Sequence, residues 1–148
     1  MPFRFTLAPL LRLRQSIERE QALRLQAANV AVARTQDTLT RLERFLADSA
    51  QSDQAGLGAG RRGVELQFAS LIRTNLHILR EQLLAELREL KHKRQQAAQE
   101  YQRAFMEREV LETLRKRQRQ AYQIEAQRRE QREVDAAYLI QLWRKSVG

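Results

Sequence analysis

The chain has 148 residues, 43% of them hydrophobic, 6% aromatic and 30% charged, with a formal net charge of +9. So few aromatics and so many charges leave little for a deep globular core, although a narrow seam between helices needs less. The absence of cysteine excludes a disulfide framework and thiolate metal sites and fits a reducing compartment.

The first fourteen residues are apolar with Arg4, Arg12 and Arg14, so a targeting peptide has to be weighed. The longest uncharged run there, Phe5 to Leu11, is short for a signal-peptide core, and no small-residue cleavage pattern follows. The acid-free first seventeen residues imitate a mitochondrial presequence, but the helical pattern runs on from Leu10 without a processing break. No apolar stretch of about 18 residues exists, which excludes a membrane-spanning helix.

From Pro9 to Gly56 nothing interrupts a helix, and the residues are chiefly Ala, Leu, Arg, Gln and Glu, which lose little side-chain entropy on becoming helical. Leu10, Leu13, Ile17, Gln21, Leu25, Ala28, Val32, Thr35, Leu39, Leu42 and Leu46 advance in steps of three and four, a heptad-like stripe. Successive fours at Ile17, Gln21 and Leu25 predict a stutter, where the supercoil unwinds.

Four of the five glycines, Gly56, Gly58, Gly60 and Gly63, follow within eight residues. They predict a bend, because glycine accepts positive φ without steric cost. Gly58 to Gly63 also matches GxGxxG and the first positions of a phosphate-binding loop. A dinucleotide site requires a preceding strand, and the phosphate loop requires Lys and then Ser/Thr where Val64 and Glu65 stand.

Val64 to Val147 again lacks Gly and Pro. Its stripe reads Phe68, Ile72, Leu76, Leu79, Leu83, Leu87, Leu90, Arg94, Ala97, Tyr101, Ala104, Arg108, Leu111 and Leu114. Stretches of about 47 and about 80 helical residues would be roughly 70 and 120 Å long, which argues for a coiled coil. The expected fold is all-α, an antiparallel coiled-coil hairpin in a single domain over 1–148: helix one over about 8–55, hinge 56–63, helix two over about 64–144. Centred near Gly60, the hairpin sets residue i beside roughly residue 120 minus i, so Leu46 faces the Thr74 region and Leu10 faces Val110 to Leu111. The second stripe fades after Leu114, where helix one would run out, and this favours an intramolecular hairpin over a parallel dimer.

Beyond Leu114 the helix is expected to overhang. Its Tyr122, Ile124, Val134, Tyr138, Leu139, Ile140, Leu142 and Trp143 would be exposed and suit a partner's groove; the alternative is an end that frays or folds back onto Phe3, Phe5 and Leu7. The charge is uneven as well. Residues 1–24 hold five Arg and two acids, residues 115–148 hold nine Lys/Arg and four acids, and the middle carries thirteen bases against twelve acids. Nearly all the excess sits at the open end and should steer it towards an acidic surface or a polyanion. Interleaved Glu125, Glu130, Glu133 and Asp135 speak against a helix that tracks phosphates, so no nucleic-acid role is expected. His77 and His92 stand alone, without metal-ligand spacing. No cleft is available to shift a carboxylate pKa, so the chain is not expected to be an enzyme or to bind a cofactor.

The opening Phe3-Arg4-Phe5-Thr6-Leu7-Ala8-Pro9-Leu10-Leu11-Arg12-Leu13-Arg14 resembles the FxFxLxxLLxLR start of the flagellar export protein FliJ family. The segment Gln127-Arg128-Arg129-Glu130-Gln131-Arg132-Glu133-Val134-Asp135 is similar to that family's charged C-terminal segment. The resemblance covers nearly the whole chain. It implies a non-catalytic, cytoplasmic stalk of the flagellar type III export apparatus, peripherally associated with the inner membrane and serving flagellum assembly and, through it, motility and chemotaxis. The implied partners are the hexameric flagellar export ATPase, whose pore the end with both termini enters, the membrane export gate, and export chaperones. ATPase contacts are assigned to Arg115, Lys116, Arg117, Arg119, Arg128, Arg129 and Arg132. By the same resemblance, gate contacts fall on Leu39, Leu42, Phe45, Phe68 and Ile72, although Ser49 stands where the family carries an aromatic. Packing in the helix seam is the competing reading of these five. The rival functions are the stalk of a virulence-type secretion system, a chaperone escort, and a generic scaffold or nucleic-acid-binding rod.

Overall fold

The structure, a computed structural model, describes residues 2–58 and 62–148. Two helices account for nearly all of them: α1, Ala8–Gly58, and α2, Gly63–Val147. Pro9 lies in the first turn of α1, where its missing N–H leaves no donor unsatisfied. The Ala8 N–H donates to the Phe5 carbonyl (3.1 Å) and the Leu11 N–H to that of Leu7 (2.9 Å). α2 carries Glu65 in its first turn and Arg144 and Lys145 in its last, the signs that complement a helix dipole. Gly56 and Gly58 continue α1 rather than ending it. The expected centre of the bend, Gly60, lies outside the described residues.

The chain divides into two compact units, Met1–Glu18 with Arg103–Gly148, and Arg19–Gln102. Within each, α1 and α2 pack against one another in opposite directions. In the Arg19–Gln102 unit, Arg80 reaches Glu43 (3.2 Å) and Arg73 pairs with Asp53. In the other, Arg14 reaches Glu107 (2.6 Å) and Glu18 pairs with Arg108. The chain is thus an all-α antiparallel helical hairpin. Its register departs from the expected one. With Asp53 beside Arg73, Leu46, two turns earlier, comes level with the Arg80 turn rather than with Thr74.

The seam of the Arg19–Gln102 unit is centred on buried Val32, Leu39 and Leu87, with Leu83, Leu84 and Leu90 packed against them. From Gln21 to Leu46 the predicted stripe is the one that faces inward. Elsewhere the phase differs. At the start of α1, Leu11, Arg14 and Glu18 turn inward, whereas Leu10 and Leu13 are exposed. Steps of three and four therefore continue without the expected stutter. On α2, Leu66, Ala69, Arg73 and Arg80 take the inner positions, whereas Phe68, Ile72 and Leu79 face outward. Both corrections have one cause: charged residues at these seam positions are paired across the helices and so can occupy them. A pattern built on apolar residues alone slips by a residue there, a rotation of about 100°.

Candidate partner-binding surfaces

The first surface begins with the segment before α1. Pro2 to Thr6 carries no helix and runs along α2, where the Phe3 ring meets the Tyr122 ring at 5.7 Å between centroids, tilted by 47°. Pro2, Phe3 and Arg4 share a shallow recess with Gln118, Ala121, Tyr122 and Glu125. α2 is therefore covered past Leu114, contrary to the expected uncovered helix from that point; Phe3 against Tyr122 is a contact of the alternative in which that region meets Phe3, Phe5 and Leu7, and the covering arm carries no helix. The overhang starts after Ala126: from Gln127 to Gly148 every residue is exposed. Val134, Tyr138, Leu139, Ile140, Leu142 and Trp143 are among them, with Trp143 65% accessible. At 100° per residue these six spread over about two thirds of the helix circumference.

The seven basic residues singled out by the sequence, Arg115, Lys116, Arg117, Arg119, Arg128, Arg129 and Arg132, are all exposed. None has a carboxylate partner among the described residues. Their neighbours on the seam differ. Arg14 is held by Glu107. Arg108 is held by Glu18 and by Glu109 (3.2 Å), and lies over the Phe105 ring at 5.1 Å. The seven do not form one patch. Arg115 and Arg119 line a recess under the arm together with Arg12, which periodicity had not marked. Arg117 ends an apolar groove formed by Phe105, Met106, Val110 and Leu114. Arg128 and Arg132 flank Ala121 and Ile124 on a further face. Only knowing which turn of α1 lies beside Arg115 would have brought Arg12 into view.

The second surface lies towards the glycine-rich segment. Of the five residues considered for it, Leu39 is 8% exposed and belongs to the core cluster, and Leu42 is half-buried. Phe45 is 56% and Phe68 64% exposed, and Ile72 is exposed as well. The neighbouring Leu71 is also open to solvent, giving three apolar side chains within two turns of α2. The residue that takes Phe68's expected place facing α1 is Ala69.

Among the described residues no three potential metal ligands cluster, and His92 makes an exposed contact with Gln96 (3.2 Å). No described helix is long and apolar enough to cross a membrane.

Compared with known proteins, residues 3–147 match the family model described as the flagellar FliJ protein. No curated protein and no solved structure matches the chain. The family match takes in both helices and the arm that precedes them, and on that extent the chain belongs to the flagellar FliJ family, a family of flagellar protein-export components.

Proposed function

We propose that the chain is a non-catalytic stalk that docks in the hexameric flagellar export ATPase, promotes its assembly and activity, and links it to the membrane export gate from the cytoplasmic side. One observation carries the ring contact. A helix end that is apolar around about two thirds of its circumference, and fringed by unpaired arginines, is stable when a partner wraps it rather than lies along one narrow stripe. Residues 134–147 of α2 have that character, and the polar residues 127–133 before them supply Arg128, Arg129 and Arg132. Phe45, Phe68 and Ile72 are the gate-facing candidates, with Leu42 at their edge, while Leu39 supports them from within the seam. A stalk of this kind supplies no chemistry; it biases the ring through contacts that differ between the ring's states.

The test uses the cognate export ATPase, with its activity and oligomeric state followed as the full-length chain is added. Replacing Tyr138, Leu142 and Trp143 together by Ser alters only exposed side chains, so folding should survive. Stimulation and ring formation are expected with the wild-type chain and should be lost with the triple variant. A triple variant as active as the wild type would overturn the docking assignment.

A further inference from the structure

The recess beneath the arm has a charge arrangement that the fold itself does not explain. It measures about 550 Å³, and three arginines line it: Arg12 from the start of α1, and Arg115 and Arg119, one turn apart on α2. Phe3 and Phe5 of the arm form its apolar wall. The three cations share one small space, yet none has a carboxylate partner among the described residues. The acids nearby in sequence form no ion pair with these three among the described residues. Glu107 is held by Arg14, and Glu112 accepts a hydrogen bond at 3.2 Å from the amide of Gln15, at the edge of the recess. Like charges gathered about one recess repel each other, and salt screens that repulsion only partly within a Debye length of about 8 Å. Had the arginines served the fold alone, a single glutamate among them would have relieved the repulsion, as Glu18 does for Arg108.

We infer that Arg12, Arg115 and Arg119 form a socket for an acidic peptide segment of a partner protein, two or more carboxylates entering among the guanidiniums while a flanking apolar side chain rests on Phe3 and Phe5. Guanidinium forks match carboxylates in bidentate fashion and carry less hydration than ammonium groups, which suits a recess read by arginine alone. A nucleic-acid backbone fits less well. Past Arg119, α2 presents Glu125, Glu130 and Glu133 between its arginines, which would repel a continuous line of phosphates, whereas a short acidic peptide ends within the recess. The inference adds to the C-terminal end of α2 a second point of contact, at Arg12, Arg115 and Arg119. It rests on the stalk reading only for the partner's identity.

The experiment titrates the full-length chain at low ionic strength with a hexaglutamate peptide, and in parallel with hexathymidylate. Arg12→Ala and Arg119→Ala are compared with Arg103→Ala, an exposed arginine outside the recess that loses the same net charge. The expected result is an affinity for hexaglutamate lowered about tenfold, or about 1.4 kcal/mol, by either recess variant and about twofold or less by Arg103→Ala. Arg12→Lys should recover only part of the loss. The melting temperature of the free recess variants should hold or rise, because removing a guanidinium relieves repulsion. Absence of peptide binding, equal losses in all three alanine variants, or tighter binding of hexathymidylate with the same dependence on Arg12 would each overturn the socket. A chain that leaves the export ATPase unstimulated, yet binds the peptide through Arg12, would refute the ring reading and uphold the socket.

Discussion

The two units use the same charged residues differently. In Arg19–Gln102 five cations are tied to partners within the chain: Arg24 to Glu20 (2.9 Å), Arg41 to Asp37 (3.0 Å) and Lys93 to Glu89 (3.5 Å) on the helix surfaces, Arg73 to Asp53 and Arg80 to Glu43 across the seam; Arg19, Arg34, Arg44, Arg88, Lys91 and Arg94 have no ion pair among the described residues. The three surface pairs have the acid four residues before the base, the favourable order on a helix. In the other unit only the seam cations are paired, and those beyond Leu114 are left open although acids alternate with them. Composition alone would have made both stretches solvated, charge-laced helices. What separates them is that surface pairs form in the first and none forms among the described residues past Leu114 in the second, where nine bases stand against four acids and the excess is left for a partner to balance.

The contrast in packing can be broken most forcefully at the apolar centre. Leu87→Ala removes a buried side chain from the Val32, Leu39 and Leu87 cluster and should destabilise by about 3 kcal/mol. Trp143→Ala, on the exposed end of α2, should change stability by no more than about 0.5 kcal/mol. Urea unfolding of both variants decides the matter. Similar losses would mean that the C-terminal helix is packed in the free protein, and the case for an enclosing partner would fall.

A smaller effect is expected where the seam is ionic. Glu18 and Arg108 are each less than one-fifth exposed in their side chains (17% and 19%). Glu18→Gln leaves a largely buried guanidinium with only Glu109 and the Phe105 ring, and should cost about 2 kcal/mol, less than a fully buried pair because some solvent reaches it. Replacing both residues by Leu should restore most of that loss, since an apolar pair packs the same seam without desolvating charge. A double-mutant cycle in urea measures the coupling. Coupling near zero would show that the pair follows the helix phase rather than fixing it.

These same residues mark how far the sequence could be read. That the chain forms two long helices was legible, because the stretches on either side of the glycine cluster are free of helix breakers. The antiparallel direction was legible as well, from the fading of the second stripe after Leu114. Phase was legible only where the seam is apolar, from Gln21 to Leu46 on α1 and from Leu83 to Leu111 on α2. Arg14, Glu18, Arg73 and Arg80 are indistinguishable from surface residues until their partners on the other helix are known, so Leu10, Leu13, Phe68, Ile72 and Leu79 were placed inward in their stead. The arm had no periodicity to read. Its cover over Tyr122 and its part in the recess with Arg12 are tertiary facts, set by which turn of α2 lies beside the start of α1.

The smallest effect tests a residue that both the sequence pattern and the structure place in the seam. Gln21 is half-buried, and its Oε1 has no hydrogen-bond partner among the described residues. A desolvated amide oxygen left unpaired costs about 1–3 kcal/mol, part of which its own apolar stem recovers by packing. Gln21→Leu should therefore stabilise the chain by about 1 kcal/mol, a rise of about 2–4 °C in Tm. The ion pairs do not predict such a gain, because each already has its partner. A fall in Tm would mean that the amide is satisfied by bound water and forms a hydrated layer of its own. A rise would place Gln21 with the polar seam residues that sacrifice stability to hold one register against its neighbours, and would leave Arg12, Arg115 and Arg119 as the unsatisfied group whose relief has to come from outside the chain.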